Sequence, residues 1–371
     1  MTKARTNASA SPAVGRNMVI NGAMNVAQRN TSVADLGASS GYLGPIDRFR
    51  IGAGTTAGRL TASQTSDGPN GISANCLKFD CTTADTSIAA GEKLLIEQRF
   101  EGQNLQRIGK GVAGAKQVTV SFYVKANASF TFACELYDHD NSRQISKLFS
   151  VTSNWSRVEL TFPADVDDGS SPFGDDNALS LSLFIALHAG SNFTSGTLNS
   201  SSWANATSAN RHVGIDSFYS STDNNFFITG VQMEVGPVAT EFEQEDISTT
   251  LGKCQRYCQR YPAQDQADSG AYSNFGVGFN NATTTCRFLL PTLPVAMRLE
   301  PTGSASGDFR LLYAGTAIAV SSGPTITDAG SNATSLEMGL TVGSAALTVG
   351  QGVLVQADGD VDAHIILDAE L

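Results

Sequence analysis

The chain has 371 residues and a net charge of −11, from 24 basic and 35 acidic side chains. That balance excludes a nucleic-acid binder, which needs a basic footprint to displace counterions, and speaks against docking on an anionic membrane surface. Its length predicts two or three domains, and 36 glycines among many Ser, Thr, Asn and Ala residues predict short strands and turns.

No apolar run is long enough to cross a bilayer, and Leu179–Leu187, the richest, is broken by Ser180 and Ser182. Residues 1–16 are small and polar, with no apolar core for a secretory signal. They read as a flexible arm or an anchor. The six cysteines lack paired CxxC spacing and neighbouring histidines, so reduced, buried thiols are expected and zinc is not.

The first strand is expected within Asn17–Arg29, with Asn21-Gly22 as a turn or bulge and Met18, Ile20, Met24 and Val26 as its apolar positions. Clear alternation follows. Val118, Val120, Phe122 and Val124 share one face, with Tyr123 on the other. Phe130, Phe132, Cys134 and Leu136 repeat this, with Tyr137 opposite, and Asp138–Ser142 reads as a turn. Val158, Leu160 and Phe162 line a strand after Trp155. Leu179, Leu181, Leu183, Ile185 and Leu187 form the longest stripe. Strands at this spacing, with no helical pattern between, predict an antiparallel β-sandwich over 17–245. Its first and last strands should lie close together.

Residues 227–235 close that sandwich. Thr229, Val231, Met233 and Val235 are expected on one side and Gly230, Gln232 and Glu234 on the other, until Gly236-Pro237 ends the ladder. The period then changes. Ile247, Leu251, Cys254, Cys258 and Tyr261 are spaced 4, 3, 4, 3, which predicts a helix over 246–262 with an apolar seam that packs against other copies. Asp246 or Ser248 would cap it and Pro262 would end it. A smaller β domain is expected over 263–371, with runs at 286–290, 297–300, 309–313, 340–342, 352–356 and 364–367.

The stretch ITGVQMEVGPVATEFE (228–243) followed by CQRYCQRY (254–261) resembles a junction of bacteriophage tail-fibre and related virion proteins. Those chains run from a "TGVQLE-G--ATPFE" strand into a "CQRYY" helix. Here Glu241 stands for the usual proline, and Cys258 for an aromatic residue. NMVINGAMNVAQR (17–29) resembles their "NLL-NG-F-VWQRG" opening and the first strand of jelly-roll carbohydrate-binding modules; DRFRI (47–51) matches their next strand. LPVAMRLEPT (293–302) and LDAEL (367–371) resemble phage fibre tips. The resemblance implies a structural virion protein made in the host cytoplasm: a homotrimeric tail fibre or receptor-binding protein, jelly-roll-like in its sandwich, with other virion proteins and a host surface glycan as partners. A capsid decoration or head-spike protein is the first alternative, and a glycan-cleaving enzyme the second.

Motifs for chemistry are few. Gly109–Gly114 fits GxGxxG, but a strand follows where a dinucleotide site needs a helix. Gly37–Gly41 fits GxSxG, but lies in a small-residue loop rather than a nucleophile elbow. The four histidines, at 139, 188, 212 and 364, are scattered along the sequence. Asp165, Asp167, Asp168, Asp175 and Asp176 form an acidic loop that offers oxygen ligands for calcium, although a solvated loop is the favoured reading. No catalytic residue, metal site or cofactor is called for. The aromatics on polar faces carry the functional expectation: Tyr123, Tyr137, Trp155 and Trp203 are candidates to stack on sugar rings, or to pack between subunits.

Overall fold

The computed structural model describes residues 15–166, 171–263, 272–327 and 330–371. The chain is all-β and divides into two compact units between Thr250 and Leu251, with Leu371 counted in the first.

The first unit is a jelly-roll-like antiparallel β-sandwich. Its strands are β1 (Ser32–Leu36), β2 (Tyr42–Leu43), β3 (Arg50–Gly54), β4 (Arg59–Thr65), β5 (Cys76–Thr83), β6 (Lys93–Glu101), β7 (Val118–Ala126), β8 (Phe130–Asp138), β9 (Arg143–Val151), β10 (Ser156–Phe162), β11 (Leu179–Ala189), β12 (Ala204–Asn205) and β13 (Asn225–Val235). They form a six-stranded sheet, β1-β4-β5-β13-β7-β10, facing a seven-stranded one, β12-β9-β8-β11-β6-β3-β2. Between them lie Phe79, Phe122, Phe132, Phe226, Leu183 and Ile185, all buried. Phe122, Phe132 and Phe226 meet Phe149 or one another edge-on or tilted, at centroid distances of 5.0–6.3 Å. That arrangement suits the quadrupoles of aromatic rings.

The strand expected within 17–29 is not one. This segment docks on β13 through single bonds: Met18 N donates to Met233 O (2.8 Å) and Val231 N to Gly22 O (3.0 Å). The two ends of the unit therefore meet, as expected, without a ladder. Asn21 explains the irregular path. It is buried at φ 62°, and its side chain takes the amides of Asn25 and Val26 and gives to the carbonyls of Val26 and Asp47. Gly22 follows because a Cβ there would stand 2.0 Å from Val231 O. The strand expected over 47–51 begins only at Arg50; Asp47, Arg48 and Phe49 are buried ahead of it, Arg48 at φ 72°.

β13 corrects the expected facing of Thr229. Phe226 and Ile228 point into the core, as do Val231 and Met233, so the inward spacing is two, three, two. A bulge between Thr229 and Gln232, with Gly230 at φ 60°, supplies the extra residue. Thr229 thus faces out, its hydroxyl bonded to Asn75 O. The strand is also buried on both faces. Gln232 and Glu234 are capped by the returning segment: Glu243 N donates to Gln232 Oε1 (2.8 Å), and Thr240 N and Oγ1 donate to Glu234 (2.8 Å each). The phrase 228–243 is therefore one self-bonded unit, in which the two polar side chains of the strand hold the backbone that follows.

The helix beyond it is shorter than its spacing predicts. It spans Ile247–Gln255, with Asp246 Oδ1 accepting from Ser248 N (2.9 Å) at its start. Cys258–Pro262 is a strand, β14, paired with β22 (His364–Asp368). Cys258 and Tyr261 therefore lie off the helix, and Cys254 and Cys258 are fully buried inside the chain, while Ile247 is exposed. A continuous helical seam of Ile247, Leu251, Cys254, Cys258 and Tyr261 is absent, because strand pairing at the end of the chain overrides a weak local helical pattern.

The second unit adds β15 (Asn274–Asn280), β16 (Thr285–Leu289), β17 (Thr302–Ser306), β18 (Phe309–Tyr313), β19 (Thr316–Ile326), β20 (Glu337–Val342) and β21 (Gly352–Ala357). Six of these close a barrel, β15-β16-β20-β19-β18-β21, and β14-β22-β17 form a small sheet. Phe275, Phe288, Leu311, Met338 and Val355 fill its core. Residues 297–300, expected as a strand, are not in one; Met297 is bonded to Ala333 O instead.

Candidate functional site

Alternation places one side of each strand of the seven-stranded sheet outside the sandwich. On β6 these are Lys93, Leu95, Glu97 and Arg99; on β11, Ser182, Phe184 and Ala186; on β8, Ala133, Glu135 and Tyr137. The registers Phe184↔Glu97, Phe184↔Glu135 and Ser182↔Tyr137 bring them side by side. Leu95, Ala133, Phe184 and Ala186 form an apolar floor, with Tyr137 and Ile215 packed on it.

Polar groups on this floor are fixed in two sets. In the first, Glu97 accepts from Arg99 Nε (2.7 Å) and Ser182 Oγ (2.8 Å), with Arg50 Nη1 at 3.4 Å. His139 Nε2 lies 2.9 Å from the same serine hydroxyl. Burial pushes the His139 imidazole below its ordinary pKa, against the pull of Glu97. In the second, Glu135 takes both arms of Arg211 (2.8 Å each) and His212 Nε2 (3.0 Å). Burial alone would raise the Glu135 pKa, but Arg211 and His212 outweigh it and hold the carboxyl down at about 2. The Arg211 guanidinium lies over Tyr137 (5.0 Å) and Phe184 (5.4 Å), so one cation is shared by a carboxylate and two rings. His139 packs on Tyr137 at 4.8 Å. Tyr137 keeps part of its surface open.

The expected aromatics do not converge. Tyr123 and Tyr137 both point outward, but from β7 and β8, which belong to different sheets; they look away from each other across the sandwich. Trp155 shares the outer face of the six-stranded sheet with Tyr123 and Phe227. Its indole N–H donates to Asp67 O (3.1 Å), and Lys125 lies over both Trp155 (5.4 Å) and Phe227 (4.6 Å). Trp203 packs on the core, and its indole N–H donates to Pro163 O (2.9 Å), so it closes an edge of the sandwich.

Sequence reasoning missed Glu97, Arg99, Ser182, Phe184, Glu135 and Arg211. The signal for β6 was present in EQRFE (97–101), where Glu97, Arg99 and Glu101 alternate with Gln98 and Phe100. Nothing local marks Glu135 and Arg211 as partners, since they are far apart in sequence.

The rejected motifs have structural roles. In the GxGxxG loop, Gly109, Gly111 and Gly114 sit at φ 62°, 75° and 104°, and the loop buries Lys110 between Asp138 (2.6 Å) and Asp165 (3.5 Å). Asp165 also holds Arg143 in a two-armed pair (2.8 and 2.9 Å). Of the acidic loop, Asp165 is thus an ion-pair residue, and Asp167 and Asp168 lie outside the described residues. Among the described residues, no three His, Cys, Asp or Glu side chains stand together as a metal site. The GxSxG loop wraps the Tyr42 hydroxyl, which accepts from Ser39 N (2.8 Å).

No protein-family model matches the chain, and no curated protein matches it. Among solved structures, the enzymatically active domain of tailspike protein 4 of bacteriophage CBA120 is similar over 60% of this chain and 22% of that one, at 10% identity and a TM-score of 0.31. A family 4 carbohydrate-binding module is similar over 58% of this chain and 98% of its own length, at 11% identity and a TM-score of 0.30. The family 11 carbohydrate-binding module of the cellulosomal cellulase Lic26A-Cel5E of Clostridium thermocellum matches 56% of this chain and 96% of its own, at 13% identity and a TM-score of 0.27.

Proposed function

We propose that this chain is a structural virion protein, a tail fibre or receptor-binding protein, whose first unit holds a host surface glycan on the outer face of the seven-stranded sheet without cutting it. The observation that carries the binding reading is the row formed by Tyr137, Phe184, Arg211, Ser182 and Glu97. It sets the partly open Tyr137 ring beside the Arg211 guanidinium, over Phe184, Ser182 and Glu97, which are buried and already held in place. Sugars need both: a ring face for their C–H surface and fixed partners for their hydroxyls. The virion reading rests on the resemblance of 17–29 and 228–261 to phage fibre chains. The same resemblance supports a homotrimer, in which three weak sites act together through effective concentration.

The carboxylates favour holding over cleavage. Glycoside hydrolysis needs a carboxylic acid poised to protonate the leaving oxygen. Glu135 is fully buried and ionised under Arg211, and Glu97 is tied to Arg99 and Ser182.

Tyr137→Ala should weaken retention on host surface polysaccharide about fivefold, by loss of stacking worth about 1 kcal/mol. Tyr123→Ala with Trp155→Ala, on the opposite sheet, should leave retention unchanged. The reverse pattern would move the site to the six-stranded sheet. Falling polymer mass would show an enzyme. No retention by cells, with normal phage adsorption when the protein is missing, would leave the capsid-decoration reading. Under the virion reading, residues 1–16 attach the protein to the particle. Deleting them should give a folded protein that no longer joins virions, and normal incorporation would reject that role.

A further inference from the structure

We propose that the outer face of the barrel in the second unit is an interface between copies of this chain. The first observation is that β15, beyond the core residue Phe275, is patterned inside out. Its inward positions Gly276 and Gly278 pair with the inward Val355 and Val353, while Val277 and Phe279 point away from the core. The glycines are required: a Cβ would stand 2.5 Å from Leu289 O at Gly276 and 2.0 Å from Arg287 O at Gly278. Small residues thus line the inside and large apolar ones the outside, the opposite of a strand that faces water.

Neighbouring strands continue the pattern. In register, Leu289 of β16 sits beside Val277, Val277 beside Leu354 of β21, and Leu354 beside Leu312 of β18. Val277 is 68% exposed, Leu289 56%, Phe279 51% and Leu312 37%. Those side chains leave roughly 400 Å² of contiguous apolar surface open, the size of the largest patch on a soluble protein, which is often a functional one. Two such strips placed face to face bury roughly 800 Å², so the charged borders have to supply the rest of the ~1,200 Å² that a stable specific interface needs.

The occupant that fits is a second copy. The strip has no hydrogen-bonding side chain along its middle with which to hold a sugar, and the acidic chain is repelled by anionic lipid. One border carries the pair Arg287–Glu337 (3.6 Å) and another Arg310–Asp358 (3.9 Å). Each border holds both signs, so the border of another copy finds an opposite charge, and the apolar middles meet without burying an unpaired one. The barrel is closed, so no strand edge is available for pairing; association must run through side chains.

Sedimentation velocity on the full chain tests this independently of glycan binding. The wild type should be an oligomer. Val277→Lys with Phe279→Lys should raise its dissociation constant at least tenfold, with an unchanged circular dichroism spectrum, because both side chains already face water in the single chain. Leu289→Lys alone should act in the same direction. Ile247→Asp, on the exposed side of the short helix, should keep the wild-type mass. A monomeric wild type, or lysine variants with wild-type mass, would overturn the proposal.

Discussion

Lys110→Met should destabilise the first unit by about 3–5 kcal/mol, the cost of removing one partner from a buried ion pair. Lys110 is 3% exposed, and its ammonium lies 2.6 Å from Asp138, 3.5 Å from Asp165 and 3.1 Å from Ser171 O, with the Phe173 ring at 5.3 Å. With Arg143 these residues make a set of two cations and two anions. Methionine matches the stem of lysine but leaves the set with one negative charge in excess, at a site water does not reach. In a unit of this size the midpoint should fall by roughly 10 °C. Adding Asp138→Asn removes the excess charge and should restore a good part of the loss, which packing damage alone would not allow. Chemical denaturation decides it: a loss below about 1 kcal/mol would mean that the cluster contributes no more than a surface pair.

The same lysine shows what the sequence carries and what it hides. Its loop reads as a phosphate-binding motif, and only the strand after it argues otherwise. The glycines were needed, but to turn the backbone so that Lys110 reaches two aspartates distant in sequence. Alternation, by contrast, is local: the stripes of Val118–Val124 and Leu179–Leu187 lie in β7 and β11, with core-facing side chains as read except at Leu179, which a shift in register before Leu181 leaves out of the core. Alternation also assigned outward facing correctly to Tyr123 and Tyr137. It could not say that the link between β7 and β8 crosses from one sheet to the other, which sends the two rings to opposite sides. A single bulge at Gly230 moved Thr229 to the other face, and a one-residue slip of this kind leaves almost no mark in the sequence. The helix failed for a related reason. Residues 247–261 fit a heptad and 258–262 show no alternation, and the ladder with His364–Asp368, distant in sequence, makes them a strand. On the candidate face, the charged residues of β6 were visible as a pattern. Their role was not, because Glu97 and Glu135 acquire meaning only from Ser182 and Arg211 on other elements.

Acid should loosen the candidate face in a defined window. The folded Glu135 carboxyl titrates at about 2, below its ordinary value of 4.5. A carboxyl whose pKa is depressed by folding contributes stability above its unfolded pKa, and that contribution is lost as pH falls through the folded one. The window therefore runs from about pH 4.5 down to about pH 2, and the loss is on the order of 3 kcal/mol. His188, whose imidazole burial holds at about 4, titrates mainly above it, so the Glu135 contribution is read below pH 4. Glu135→Gln supplies the comparison. It should be markedly less stable than the wild type at pH 7, since Arg211 loses its carboxylate, and should decline less steeply from pH 4 to 2, where Asp85, Asp246 and Asp360, also held below their ordinary values, still titrate, so the two proteins should converge near pH 2. The face should fail in the same window. Arg211 stays over Tyr137 because Glu135 pulls on both of its arms. Once that carboxyl is protonated the guanidinium is free to leave the ring, and glycan retention should drop before the unit unfolds. A wild type as stable at pH 2.5 as at pH 5, or a Glu135→Gln protein that declines in parallel with it, would remove Glu135 as the anchor of the site.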